Sequence, residues 1–167
     1  MGLIDFVKDA GEKLSGRGQA QAAAKEAAAD PADAAKVQAA NSAAGDAILD
    51  YVKSQNLSAT GLTVTYDGAS STVSVFGVAP DQATREKIVL CCGNVAGVVA
   101  VKDMMSVDQS APEAKYYTVV SGDTLSKISK QFYGDANKYN QIFEANKPML
   151  KSPDKIYPGQ NLRIPPA

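Results

Sequence analysis

Histidine is absent from this chain of 167 residues. That absence removes Ser-His-Asp and Cys-His catalysis and the commonest transition-metal ligand. Cysteine is nearly absent too, and the only two, Cys91 and Cys92, are adjacent. Adjacent cysteines make a poor disulfide staple, and two sulfurs alone do not complete a zinc site. Free thiols in a reducing compartment are the expectation. No run of roughly 18 apolar residues occurs, so no transmembrane helix is expected. In the opening Met1–Ala10 stretch, Asp5, Lys8 and Asp9 interrupt the apolar core that a secretory signal needs. No long basic run occurs either, and 17 basic side chains nearly balance 18 acidic ones for a net charge of −1. Nucleic acid and membrane insertion are therefore not expected. No acid–base pair in a recognisable context and no phosphate loop stands out, so the chain does not read as an enzyme. A cytoplasmic monomer is the default that follows.

What is present is ordinary for a globular protein, with 45% hydrophobic and 21% charged residues. The length suits two small domains. Residues 3–14 read as a short amphipathic helix, because Leu3, Val7, Ala10 and Leu14 recur at helical spacing beside Phe6. Residues 15–33 open on the breaker Ser15-Gly16-Arg17-Gly18. They continue as an alanine-rich linker or weakly packed helix. Asp33 can cap a firmer helix over Ala34–Ser54, where Val37, Ala40, Ala44, Ile48 and Val52 share a face and Gly45 weakens the run.

Leu62–Tyr66 alternates as a strand, Asp67-Gly68 turns, and Thr72–Val78 returns as the second arm of a hairpin. Pro80 opens a helix over Asp81–Leu90, Gly93 suits its C′ position, and Val98–Val107 is β-branched and strand-like. Residues 34–108 thus form one α+β layer in the order αββαβ. Residues 109–114 are a polar linker. In residues 115–167, Tyr117–Val120 is a strand, and Asp123 or Thr124 caps a helix that runs to Phe132. A second helix carries Tyr139, Ile142 and Phe143 and ends near Asn146. Asn161–Ile164 closes a βααβ unit, which is marginal alone at this size.

The handover from the second helix of the layer to its last strand, Cys91–Val101, has almost no side-chain chemistry. A helix end leaves carbonyls unpaired at the negative pole of its macrodipole. Two glycines, Gly93 and Gly97, allow a tight loop that aims further carbonyls at one point. Such a loop would bind a cation through backbone oxygen. An ordinary helix–strand turn satisfies the same pattern.

The closing unit resembles a LysM domain. Its matching residues are Tyr117-Thr118-Val119, Ser121-Gly122-Asp123-Thr124-Leu125, Tyr133-Gly134, Ala145-Asn146, Tyr157-Pro158-Gly159-Gln160 and Leu162-Arg163-Ile164-Pro165. The preceding unit is similar to a BON domain in its hairpin, Gly77, Pro80 helix and Gly93…Gly97-Val98 loop. Met1–Leu14 and about 79–165 together resemble the cytoplasmic BON–LysM potassium-binding proteins of bacteria, including the run from Asn140 to Gln160.

That resemblance implies a potassium sensor, with a role in stress response, that compacts when the ion binds. The ion would be held by backbone carbonyls of Val7 and Ala10 in the N-terminal segment and of Gly93, Val95 and Val98 in the BON loop. Potassium suits such a ring because carbonyl dipoles can replace its water shell. Calcium and magnesium favour carboxylates or retained water. The alternative implied by LysM alone is an envelope protein that binds peptidoglycan, an N-acetylglucosamine polymer, through Gly122, Asp123, Thr124, Tyr133, Asn146 and Tyr157.

Overall fold

The computed structural model describes residues 3–5, 34–95 and 97–167. The first domain consists of β1 (Leu3–Asp5), α1 (Ala34–Ser54), β2 (Thr60–Asp67), β3 (Thr72–Asp81), α2 (Gln82–Gly93) and β4 (Ala100–Gln109). Its sheet has the order β1-β4-β3-β2. β2 and β3 form an antiparallel hairpin, and β3 runs parallel to β4. Parallel neighbours need a crossover connection, and α2 supplies it.

Inward positions alternate along the strands: Val64 and Tyr66, Val73 and Val75, Val101 and Met105 are all buried. They meet Ala44, Ile48, Tyr51 and Val52 of α1, which recur at helical spacing, and Ile88 to Cys92 of α2, in one core. Gly45 has a role that helix propensity hides. A Cβ built on it would lie 2.8 Å from the carbonyl oxygen of Val64, so α1 rests directly on the β2 backbone there.

The second domain consists of β5 (Lys115–Thr118), α3 (Leu125–Tyr133), a 3-10 turn (Ala136–Lys138), α4 (Tyr139–Ala145) and β6 (Asn161–Ile164). β5 and β6 pair antiparallel. Thr124 caps α3 by accepting the Lys127 N–H, and Gly134 closes it in the left-handed region at φ 71°. Val119, Leu125, Ile128, Ile142, Leu150, Leu162 and Ile164 form a second core. The architecture is α+β, with αββαβ followed by βααβ among the described residues.

Several expectations need correction. Leu3–Asp5 is a strand, antiparallel to β4 with Ile4 opposite Val101, and not the start of a helix. The reason is the sheet edge: without β1, the outer side of β4 would present unpaired N–H and C=O groups. The remaining residues of the expected 3–14 helix and the 15–33 segment lie outside the described residues. Pro80 does not open α2. It still belongs to β3, and Asp81 is the N-cap, its carboxylate accepting the Thr84 N–H at 2.7 Å. Gly93 is not a left-handed C′ residue but the last residue of α2, with Asn94 as cap at φ −86°.

The two domains meet where α2 lies against β6. Met149 of the second domain is buried in the first domain's core. The Glu86 carboxylate of α2 accepts from the Arg163 guanidinium on β6, from the Ala114 N–H at 2.9 Å and from Gln82 at 2.9 Å. The Tyr116 hydroxyl donates to the Glu86 carbonyl. Burial is the main cause that pushes the Tyr116 phenol well above its ordinary range, with the Glu86 charge second.

Candidate functional site: the carbonyl loop after α2

Each bond at the end of α2 fixes the direction of a peptide plane. The Asn94 N–H turns back to the Leu90 carbonyl at 3.0 Å, and the Val95 N–H to the Cys92 carbonyl at 3.3 Å. A trans peptide carries its C=O opposite its N–H. The Gly93 and Asn94 carbonyls therefore point onward from the helix, at its negative pole. The Val98 N–H then closes a turn on the Val95 carbonyl at 3.1 Å, with Gly97 at φ 92°. This is a conformation that glycine adopts at no steric cost. The Val99 N–H donates to the Ser71 carbonyl at 2.8 Å, so the Val98 carbonyl faces away from Ser71. The Tyr66 hydroxyl donates to the Gly97 carbonyl at 3.3 Å.

The side chains of this loop are committed elsewhere. Val95 and Val98 are buried in the first domain's core. Cys91 and Cys92 are buried and not joined in a disulfide. Burial raises the Cys91 thiol well above its ordinary range, and Cys92 adds to the effect. A neutral thiol is neither a metal ligand nor a nucleophile. Among the described residues, no group of three or more Cys, Asp or Glu side chains is placed to hold a metal. The chemistry that remains to the loop is backbone oxygen. That donor set fits a large monovalent cation and not a divalent one that needs carboxylates.

Of the expected ion ligands, Gly93, Val95 and Val98 fall within this one turn of chain, while Val7 and Ala10 lie outside the described residues. One residue that sequence reasoning passed over sits between them. The Asn94 side chain donates to the Asn161 carbonyl at 3.1 Å and accepts the Asn161 N–H at 3.0 Å. The loop is thereby tied to β6 of the other domain. An Asn in a helix-end loop was the available signal, since its short amide often bonds backbone.

The residues of the glycan reading separate. Asp123 and Thr124 line a surface groove of about 390 Å³, together with Leu125, Tyr139, Asp154 and Ile156. The Asp123 carboxylate accepts the Tyr117 hydroxyl at 2.7 Å and the Val120 N–H at 3.0 Å. Gly122 makes the preceding turn at φ 87°. Tyr133 does not line this groove. It borders a different hollow, and its hydroxyl donates to the Pro165 carbonyl. Asn146 is interior, bonded to the Ile142 carbonyl and to both backbone groups of Arg163. It braces α4 against β6 and has no exposed edge to offer a sugar. Tyr157 is half-buried and lines no part of the groove.

Comparison with known proteins follows the same division. A BON domain family matches residues 30–109, and a LysM domain family matches residues 117–165. The chain is 49% identical over 166 residues to a protein of Escherichia coli O6:H1 named potassium binding protein Kbp, covering 99% of both chains. Shorter matches include an uncharacterized protein of Deinococcus radiodurans, 51% identical over 49 residues, covering 29% of this chain and 19% of that protein. An esterase of Mycobacterium tuberculosis is 41% identical over 71 residues, covering 41% of this chain and only 15% of the esterase. No helix among the described residues is long and apolar enough to cross a membrane. A fold of αββαβ then βααβ, the two domain matches and the end-to-end likeness agree: the chain belongs to the BON–LysM family of the potassium binding protein Kbp.

Proposed function

We propose that this chain is a non-enzymatic potassium-binding protein whose ion is held by the backbone carbonyls of Val7, Ala10, Gly93, Val95 and Val98. The observation that carries the reading is the loop itself. The Gly93, Asn94 and Val98 carbonyls point away from the bonds that fix their peptide planes, beside the negative end of α2, while the Val95 carbonyl accepts one turn bond and the Val95 and Val98 side chains are buried in the core. The near-complete match to a protein named for potassium binding supports it. Potassium supplies a positive charge that the carbonyl dipoles stabilise, and the apolar Val95 and Val98 side chains keep competing water from the loop's inner side.

The docked arrangement of the two domains is then the ion-favoured state, and a cytoplasmic sensor would report potassium as a shift toward it. Buried thiols outside any disulfide are compatible with a reducing compartment. The test is isothermal titration calorimetry of the full chain with potassium chloride against sodium chloride at fixed ionic strength, paired with X-ray scattering. Saturable heat and a smaller radius of gyration in potassium support the proposal. Identical heats in both salts sink it.

A second reading has its own observation. The groove beside Asp123, Thr124 and Tyr139 combines polar rims with an aromatic ring and suits a sugar polymer. Co-sedimentation with purified peptidoglycan, lost in Tyr139→Ala, would favour that function. No co-sedimentation by the full chain would exclude it.

A further inference from the structure

We propose that Asn94 is the positioning residue that makes the carbonyl loop and the LysM domain one thermodynamic unit. The inference rests on the potassium reading above and extends it to regulation of the same site. Asn94 stands between Gly93 and Val95, two of the carbonyl donors. Its side-chain amide pairs with both backbone groups of Asn161, donating to the carbonyl at 3.1 Å and accepting the N–H at 3.0 Å. A weaker bond from the Asn161 side chain, at 3.4 Å, reaches the same Asn94 oxygen. The amide thus acts as one more strand residue beside β6.

Asn161 is itself held. It is buried, and its side-chain oxygen accepts the Thr118 hydroxyl of β5 at 2.7 Å. The far end of the clasp is therefore the two-stranded sheet of the LysM domain. At the near end, the Asn94 N–H is bonded to Leu90 at 3.0 Å. Backbone carbonyls move only when their peptide planes rotate. With Asn94 anchored at its N–H and at its side chain, the planes carrying the Gly93 and Asn94 carbonyls are held on both sides. Undocking β6 removes the side-chain anchor and leaves those planes held by the two helix-end bonds alone. A preorganised donor set binds better than one that must be ordered on binding. Linkage is reciprocal, so whatever the docked domain adds to ion affinity, the ion returns to docking.

The clasp separates two kinds of interface contact. Glu86–Arg163 joins the domains two turns of α2 away from the loop, so it contributes to docking without touching a donor plane. Asn94–Asn161 does both. Loss of Asn94 should lower potassium affinity by roughly tenfold, a typical coupling between linked sites. Asn94→Asp keeps the acceptor for the Asn161 N–H but loses the donor to its carbonyl, so it should fall between wild type and Asn94→Ala.

The test is nuclear magnetic resonance of the 15N-labelled full chain titrated with potassium chloride at fixed ionic strength. The Asn161 amide and the Asn94 side-chain amide should shift with the same midpoint as the amides of residues 93–98. In Asn94→Ala the loop amides should titrate at about tenfold higher potassium, and Asn161 should no longer respond. If the wild-type loop amides titrate while Asn161 stays still, or if Asn94→Ala binds potassium with wild-type affinity, the coupling is wrong and the ion site stands. If no amide of the wild-type chain responds to potassium, the ion reading fails and the coupling with it. Should Asn94→Ala not fold, the wild-type titration alone decides.

Discussion

The buried pair between Glu86 and Arg163 offers a quantitative test of how the two domains are held. Their side chains are 6% and 9% exposed, so either charge, once orphaned, stays out of water. Removing one partner of such a pair typically costs about 3–5 kcal/mol, because the remaining charge is desolvated without compensation. The two single truncations should differ. Arg163→Met leaves the Glu86 carboxylate with the Ala114 N–H and Gln82 still donating to it at 2.9 Å each. Two hydrogen bonds to an anion recover part of the loss, so about 2–3 kcal/mol is expected. Glu86→Ala orphans the guanidinium, unpairs the Ala114 N–H and opens a void, so about 3–5 kcal/mol is expected. The double variant Glu86→Leu, Arg163→Met replaces the ions by apolar groups of similar bulk and should be more stable than the worse single variant, while the unpaired Ala114 N–H and Gln82 amide keep it below wild type. Urea denaturation of wild type, Glu86→Leu, Arg163→Met and the double variant, closed as a double-mutant cycle, measures the coupling, with Glu86→Ala measured beside them. A loss under about 1 kcal/mol for Glu86→Ala, or a double variant no better than the worse single one, would refute the buried interdomain pair.

Three further outcomes follow from local geometry. Gly45→Ala improves helix propensity by up to about 1 kcal/mol, but its Cβ would sit 2.8 Å from the Val64 carbonyl oxygen. Overpacking should win by about 1–3 kcal/mol, and a melting temperature at or above wild type would contradict the close approach of α1 to β2. The Cys91 thiol is raised in the folded chain by burial and by Cys92. Its contribution is complete below the ordinary thiol range and is lost as pH rises through it, since the unfolded chain releases the proton first. Stability should fall above about pH 8.5 by up to 1.4 kcal/mol per pH unit, less steeply in Cys91→Ala, and equal slopes for both proteins would count against it. Tyr66→Phe removes the donor to the Gly97 carbonyl. It should cost about 1 kcal/mol of stability, read by denaturant midpoint, and an unchanged midpoint would mean the contact contributes nothing.

Much of the fold is legible in the chain because period and punctuation agree. The helix over Ala34–Ser54 and the strand over Asn161–Ile164 have the bounds that their patterns predict. The misses share a cause. Leu3–Asp5 has the apolar spacing of a helix, yet a partner strand, which no local pattern announces, decides its state. Pro80 favours helix starts, but the Asp81 carboxylate is the stronger local signal. Asn146 carries a motif position and still turns inward, because three backbone groups need its amide. Of the candidate ion site, the carbonyl-rich loop was visible in its glycines and its lack of reactive side chains. The Asn94–Asn161 clasp was not, because it joins positions 67 residues apart that meet only after both domains have formed.

The central claim is that the folded chain carries a specific potassium site at the end of α2. The most direct test is a thermal melt of the full chain at fixed ionic strength, with potassium replacing sodium. A ligand at a hundred times its dissociation constant stabilises the folded state by about 2.7 kcal/mol. For a chain of this size that raises the melting temperature on the order of 5–10 °C. A rise of that order in potassium, absent in sodium, is the predicted result. Superimposable melts in the two salts would contradict the account.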